Sequence, residues 1–264
     1  MPTDWLIVGL YPKEREFKLA ARMFSMMVFE MRAYFTCLES NVADKVYPYI
    51  QQQTMTLTKN EIIKRFSTST KSATRDGVHR IFLEIDLFRQ NLKWRDLPSR
   101  MIGEDLNDVL GMNIAYLMVH EFFKKCLIVV RHNQYPPPGL NISPQLESDL
   151  LWYNREGGFE GIAQKTWSLA TFSMIDLGIG SFRLNYHIIG QGNNQVILAY
   201  IIVPPNEEPA TYIKQLTVNI TREVAKLCEL VGQDAKPDEC LESTSVITYS
   251  KHVYIFEVWS IICH

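Results

Sequence analysis

Apolar runs of two kinds alternate along this chain. The stretch Ile81-Phe-Leu-Glu-Ile-Asp86 is almost continuously apolar, which predicts a central strand covered on both faces and ending on an aspartate. Tyr186 to Ile197 consists of two β-branched runs around the polar tip Gly190-Gln191-Gly192-Asn193-Asn194-Gln195, the pattern of a β-hairpin; its second run continues to Val203, where Pro204-Pro205 stops it. The hairpin, residues 184–203, is expected antiparallel beside strand 81–87. Val253 to Ile262 reads as a further strand. Helical spacing predicts helices over Lys18 to Leu38, over residues 99–130 with a break near Gly111, and over Pro209 to Val231. Residues 57–80 read as a polar helix and an exposed turn at Gly77. Gly157-Gly158-Phe159-Glu160-Gly161 is a glycine loop opening a helix that carries Gln164, Lys165 and Trp167. The fold class that follows is α+β: an antiparallel sheet with flanking helices.

Composition narrows the classes. The chain has 264 residues with 47% hydrophobic content, enough for a sizeable core, and a net charge of −2. No global positive field draws it to nucleic acid, so RNA contact requires a local basic patch. Five cysteines without a Cys-x-x-Cys argue for free thiols in a reducing, intracellular compartment and against a zinc site. The sequons at Asn141 and Asn219 are then chance matches. No run approaches the ~20 apolar residues of a membrane span, and Trp5 to Leu10 is too short a run for a signal peptide. His120-Glu121 lacks the second histidine of a zinc-protease helix and reads as core-edge structure.

Taken singly, the polar features have ordinary readings. Asp86 serves equally as a cap for the next helix. The segment from Lys13 through Arg15 and Lys18 to Arg22 reads equally as a solvated helix start. Their order is what is specific. A strand with Asp86, then Gly-Gly-x-Glu-Gly-x-x-Gln-Lys-x-Trp from Gly157, then Gly-x-Gly-Asn-Asn-Gln resembles the palm motifs of viral RNA-dependent RNA polymerases. The resemblance is to the large (L) polymerase of nonsegmented negative-strand RNA viruses, and within it to the bornavirus branch. It spans essentially the whole chain but a fraction of an L protein; the thumb, much of the fingers, and the capping and methyltransferase regions have no counterpart. The ending on Ile261-Ile-Cys-His264 reads as a cut.

The resemblance implies a division into partial fingers, residues 1–80, and a palm-like core, residues 81–264. It implies that Asp86 and the position of Asn193 hold Mg²⁺ or Mn²⁺ for nucleotidyl transfer from nucleoside triphosphates, with Asn194 beside them. It places Lys13, Arg15, Lys18 and Arg22 over the incoming nucleotide, with Arg22 the leading candidate. Arg89, Asn91, Gly157, Gly158, Glu160, Gly161, Gln164, Lys165, Gln195 and Lys251 become contacts to nucleotide or RNA, Asn91 discriminating the sugar. Gln51-Gln-Gln-Thr-Met-Thr56 also matches a recurrent family segment. Implied partners are template RNA, the viral phosphoprotein and nucleoprotein-coated RNA, with nuclear localisation for a bornavirus-like protein and cytoplasmic otherwise.

Three departures stand out. The family signature at the hairpin is Gly-Asp-Asn-Gln, and here its aspartate is Asn193. Gln90 replaces an expected tryptophan, and Ala163 an arginine. Glu84 is read as facing away from Asp86 and unable to stand in. Two readings follow: an RNA polymerase core fragment impaired at Asn193, or a catalytically inactive, virus-derived polymerase-like protein that binds RNA or viral cofactors. An unrelated α+β domain is a third.

Overall fold

The computed structural model describes residues 3–12, 23–71, 77–130, 150–235, 240–249 and 252–256. They form two compact units through which the chain weaves: residues 1–46 with 91–166, and residues 47–90 with 167–264.

The first unit holds strands β1 (Ile7–Pro12) and β2 (Met23–Met26) and helix α1 (Phe29–Asn41), with a π turn at Val42–Val46. The short helix α3 (Gln90–Lys93) leads into it, followed by α4 (Asp96–Leu110), α5 (Met118–Lys125), β4 (Leu127–Val130) and β5 (Leu151–Trp152). Its sheet runs in the order β2-β1-β4-β5 with a parallel pair at β1–β4. Two expectations are corrected here. The helix expected over Lys18 to Leu38 is shorter: Met23–Met26 alternates in burial as an edge strand paired to β1, and α1 starts only at Phe29. Residues 99–130 are likewise not helical throughout. Gly111, at φ +64, ends α4 in the left-handed region, and Leu-Ile-Val-Val from Leu127 joins the sheet. The core is aromatic: Phe35 meets Phe122 edge-on, and Phe123 meets Phe159.

The second unit contains α2 (Lys59–Lys71), β3 (Val78–Asp86), α6 (Gln164–Gly180), β6 (Asn185–Gln191), β7 (Asn194–Ile202) and α7 (Pro209–Leu230). The short strands β8 (Glu242–Ser243), β9 (Val246–Tyr249) and β10 (His252–Ile255) complete it. Its main sheet is antiparallel in the order β6-β7-β3-β8. β3 is covered on both faces, as its composition predicts. Odd-numbered Ile81, Leu83 and Ile85 pack with Ile175, Ile179, Ile220 and Val224 from α6 and α7. Even-numbered Phe82 packs with Ile62 and Phe66 of α2 and Tyr249 of β9. Helix α7 starts at Pro209, with Glu208 accepting from the Ala210 and Thr211 amides at 3.1 and 2.7 Å. The terminal part of the strand expected to Ile262 lies outside the described residues.

Candidate functional site

A two-residue turn, Gly192-Asn193, closes the β6–β7 hairpin between the paired residues Gln191 and Asn194. Gly192 has φ +60, a left-handed value at the first central position that fits a type II′ turn and favours glycine. The turn is braced from below. The Gly192 amide donates to Ser168 Oγ at 3.1 Å, and the buried Gln195 side chain donates Nε2 to the Gly192 carbonyl at 2.7 Å. A Cβ on Gly190 would stand 1.7 Å from Gln195 Oε1 and 2.4 Å from Phe172, so only glycine fits there. On its outer edge Gly190 pairs with Gln53, and Thr54 Oγ1 donates to the Gly190 carbonyl at 3.1 Å. The recurrent segment from Gln51 thus serves as a strap beside the turn, a role its residue types alone do not announce.

This frame delivers Asn193 to Asp86. The β3–β7 register sets Asp86 opposite Asn194, and Asn193 Nδ2 donates to Asp86 Oδ1 at 2.5 Å. Glu84 is corrected: residues two apart on a strand share a face, so it lies on the side of Asp86. It is nevertheless occupied elsewhere, accepting from the Thr248 amide. Burial comes first in holding its carboxyl above the ordinary range. Beyond Asp86, Arg89 at φ +50 lies exposed with its guanidinium 4.9 Å from the Phe88 ring centre, and Gln90 is buried with Nε2 2.5 Å from Thr171 Oγ1.

A two-metal clamp needs carboxylates converging on ions about 4 Å apart. Here one carboxylate, Asp86, receives a side-chain amide N–H from Asn193 of the turn. Turning that amide round would set Asn193 Oδ1 against Asp86 Oδ1, two acceptors facing each other. Among the described residues no three of His, Cys, Asp or Glu gather to hold a metal. The donor set does not fit the pair of ions.

In the first unit, the glycine loop packs against the segment at Asn91. A Cβ on Gly157 would lie 1.8 Å from the Leu92 carbonyl oxygen, and one on Gly158 2.3 Å from that of Asn91. Gly161 (φ +79) and the buried Ala163 (φ +57) complete the bend. Arg155 Nε donates to the Gly158 carbonyl at 2.9 Å, and His120 Nε2 lies 3.0 Å from the Glu156 carbonyl, so His120 anchors this loop. Asn91 is buried, and its Oδ1 meets no donor among the described residues. Glu160 and Gln164 are partly exposed. The Lys165 amide donates to Glu39 at 3.0 Å, with its ammonium 3.9 Å from the same carboxylate. Burial raises the Glu39 carboxyl above its ordinary range against the opposing pull of Lys165. Glu39, Ser168 and Thr171 carry no sequence signal; they are found only when the chain is folded. Lys13, Arg15, Lys18, Arg22 and Lys251 lie outside the described residues.

The family model described as Mononegavirales RNA dependent RNA polymerase matches residues 2–257. The chain belongs to that family. It is 28% identical over 96% of its length to the RNA-directed RNA polymerase L of Taro vein chlorosis virus, covering 14% of that protein. It is also 28% identical over 94% of its length to the RNA-directed RNA polymerase L of Maize mosaic virus, covering 13%. With the large structural protein of Rabies virus (strain HEP-Flury) the figures are 28%, 95% and 12%. The chain therefore spans about an eighth of the length of these curated relatives. Among the described residues no disulfide joins Cys37, Cys126, Cys228 or Cys240, and no helix is long and apolar enough to cross a membrane.

Proposed function

We propose that this chain is a core fragment of an RNA-directed RNA polymerase whose template-directed nucleotidyl transfer is impaired at Asn193. Residues 81–264 form its palm-like core and residues 1–80 part of its fingers. Its substrates are nucleoside triphosphates on template RNA, and its partners by analogy are a phosphoprotein and nucleoprotein-coated RNA. The observation that carries the reading is the bond from Asn193 to Asp86 at the tip of the hairpin. The lineage's chemistry needs two negative charges there to hold Mg²⁺ or Mn²⁺, and the amide supplies none. Losing one carboxylate from such a clamp costs on the order of 10²–10³ in rate. The same bond favours a second reading, a fully inactive polymerase-like protein that binds RNA or viral cofactors. The bornavirus-like and virus-derived character rests on the motif departures, and the coding sequence flanking this segment tests it: an intact longer frame points to a working polymerase, stop codons to a relic. Nuclear localisation goes with the bornavirus-like reading and cytoplasmic with its alternative.

The test is thermal unfolding across a Mn²⁺ titration of the native chain, Asn193→Asp and Asp86→Asn. Asn193→Asp should gain about 1.4 kcal/mol when free Mn²⁺ is ten times its Kd, a shift of roughly 3–6 °C. The native chain should gain much less and Asp86→Asn nothing. Equal shifts in all three would remove the physical basis of the metal-site ancestry. Mn²⁺-dependent nucleotide incorporation then separates the two readings: weak but measurable in the native chain if impaired, absent if inactive.

A further inference from the structure

The main sheet of the second unit ends in an edge strand that, among the described residues, is paired on its outer side only at Gly190. β6 is its outermost strand. The closing pair Gln191↔Asn194 fixes the alternation of the β6–β7 ladder: odd-numbered residues of β6 bond β7, and even-numbered ones turn their N–H and C=O outwards. Gly190 confirms the sense. Its N–H donates to the Gln52 carbonyl at 2.9 Å, and its C=O accepts from the Thr54 amide at 3.0 Å. The chain's own strap goes no further. The Arg65 guanidinium donates to the carbonyls of Gln51 and Gln53, at 2.5 and 2.7 Å, and fixes the strap in a turn. The next outward positions, Ile188 and Tyr186, have main-chain groups that meet no partner among the described residues.

A groove of about 720 Å³ runs along this edge, between α2 and β6. Its two acids are already engaged: Glu61 accepts from Thr58 at 2.7 Å, and Asp176 from the Tyr186 hydroxyl at 2.8 Å. Lys64, exposed on α2, makes no ion pair among the described residues, and Arg65 next to it bonds neutral carbonyls, with the Glu61 carboxylate one turn away. The α2 wall therefore carries a net positive charge, Lys64 and Arg65 against the single carboxylate of Glu61. His187 and Ile189 turn toward it, whereas Ile188 packs on the α6 side with Ile175.

We propose that this edge binds an extended peptide segment by strand addition, pairing with the outward groups of Ile188 and Tyr186 and presenting acidic side chains to Lys64 and Arg65. An extended backbone is the ligand that offers N–H and C=O at the spacing the edge leaves open. The isolated bridge of Gln53 to Gly190 already uses the first outward position of this edge for main-chain pairing. The proposal is independent of the metal-site reading.

The probe is a fluorescein-labelled short peptide of alternating valine and glutamate, added to the full chain and followed by anisotropy, together with amide exchange. The Ile188 amide should exchange fast in the free chain and slow on binding. Methylating alternate backbone nitrogens of the peptide should weaken binding about tenfold, as loss of one or two main-chain bonds does. Tyr186→Pro removes an outward N–H and leaves the β7 ladder intact, so it should weaken binding similarly. Lys64→Glu should shift preference toward the same peptide with lysine for glutamate. A protected Ile188 amide in the free chain, equal binding of the methylated peptide, or no saturable binding of either peptide would overturn strand addition, whatever the fate of Tyr186→Pro. An unchanged preference in Lys64→Glu would overturn the acidic ligand. Full displacement of the peptide by a mixed-sequence RNA oligonucleotide would reassign the groove to nucleic acid.

Discussion

An amide and a carboxylate fill almost the same volume, so at position 193 they differ in charge and in hydrogen-bond sense. Asparagine can donate to Asp86 and does; aspartate in that place would repel it. In Asn193→Asp without divalent ion, one carboxyl of the pair should therefore titrate above the ordinary carboxylate range, checked by carbon NMR of the side chains. Gly190 tests the bracing of the same turn. Gly190→Ala has to displace a Gln195 side chain that is buried and tied to the Gly192 carbonyl, so it should cost about 3 kcal/mol in urea unfolding, as overpacking does. Gly77→Ala, where a Cβ meets nothing and only φ +81 resists, should cost about 1–2 kcal/mol. Glu39 tests burial against bonding. Its folded carboxyl is raised, so the folded state binds the proton more tightly and its contribution is lost as pH rises from the ordinary glutamate range through the raised value. Glu39→Gln keeps an acceptor for the Lys165 amide; its unfolding midpoint relative to the native chain should climb across that window.

At the scale of elements, β3 and the hairpin are where the sheet's energy is concentrated. Ile197, fully buried on β7, should cost about 2–5 kcal/mol on truncation to alanine, and the exposed Ile202 on the same strand within about 0.5. Calorimetry of both variants checks the contrast. These strands were legible because long apolar, β-branched runs stopped by Pro204-Pro205 or closed by Gly192 have few other solutions. Helix α7 was legible for the same kind of reason, through its period and its Pro209 start. The first sheet was not. Met23–Met26 is an edge strand of four residues whose methionines sit at helical spacing too, and Leu127–Val130 follows a helix with one residue between. Short apolar runs carry no period that separates strand from helix, and their pairing partners lie far along the chain. At the site, Asp86 and Asn193 could be paired from motif order alone. Ser168, Thr171 and Glu39 could not, because polar groups buried by tertiary packing look in sequence like any serine, threonine or glutamate.

For the molecule as a whole, charge bears on the proposed contact with RNA. With 29 acidic residues against 27 basic ones, any RNA binding is expected to be local, centred on Lys13, Arg15, Lys18 and Arg22, and to weaken steeply with salt. Filter binding that stayed flat from low to high salt would contradict this. The weave of the two units has a consequence in time. Everything the first unit needs has been synthesised once residue 166 is out, whereas β3 must wait for β7, and Asp86 for a turn residue 107 positions downstream. Closing so long a loop is slow, and until it closes an apolar strand has no neighbour on its β7 side. A chain growing from a ribosome therefore completes its first unit while β3, already made, lacks its β7 partner, which makes the interval before residue 202 a period in which this protein is exposed to aggregation.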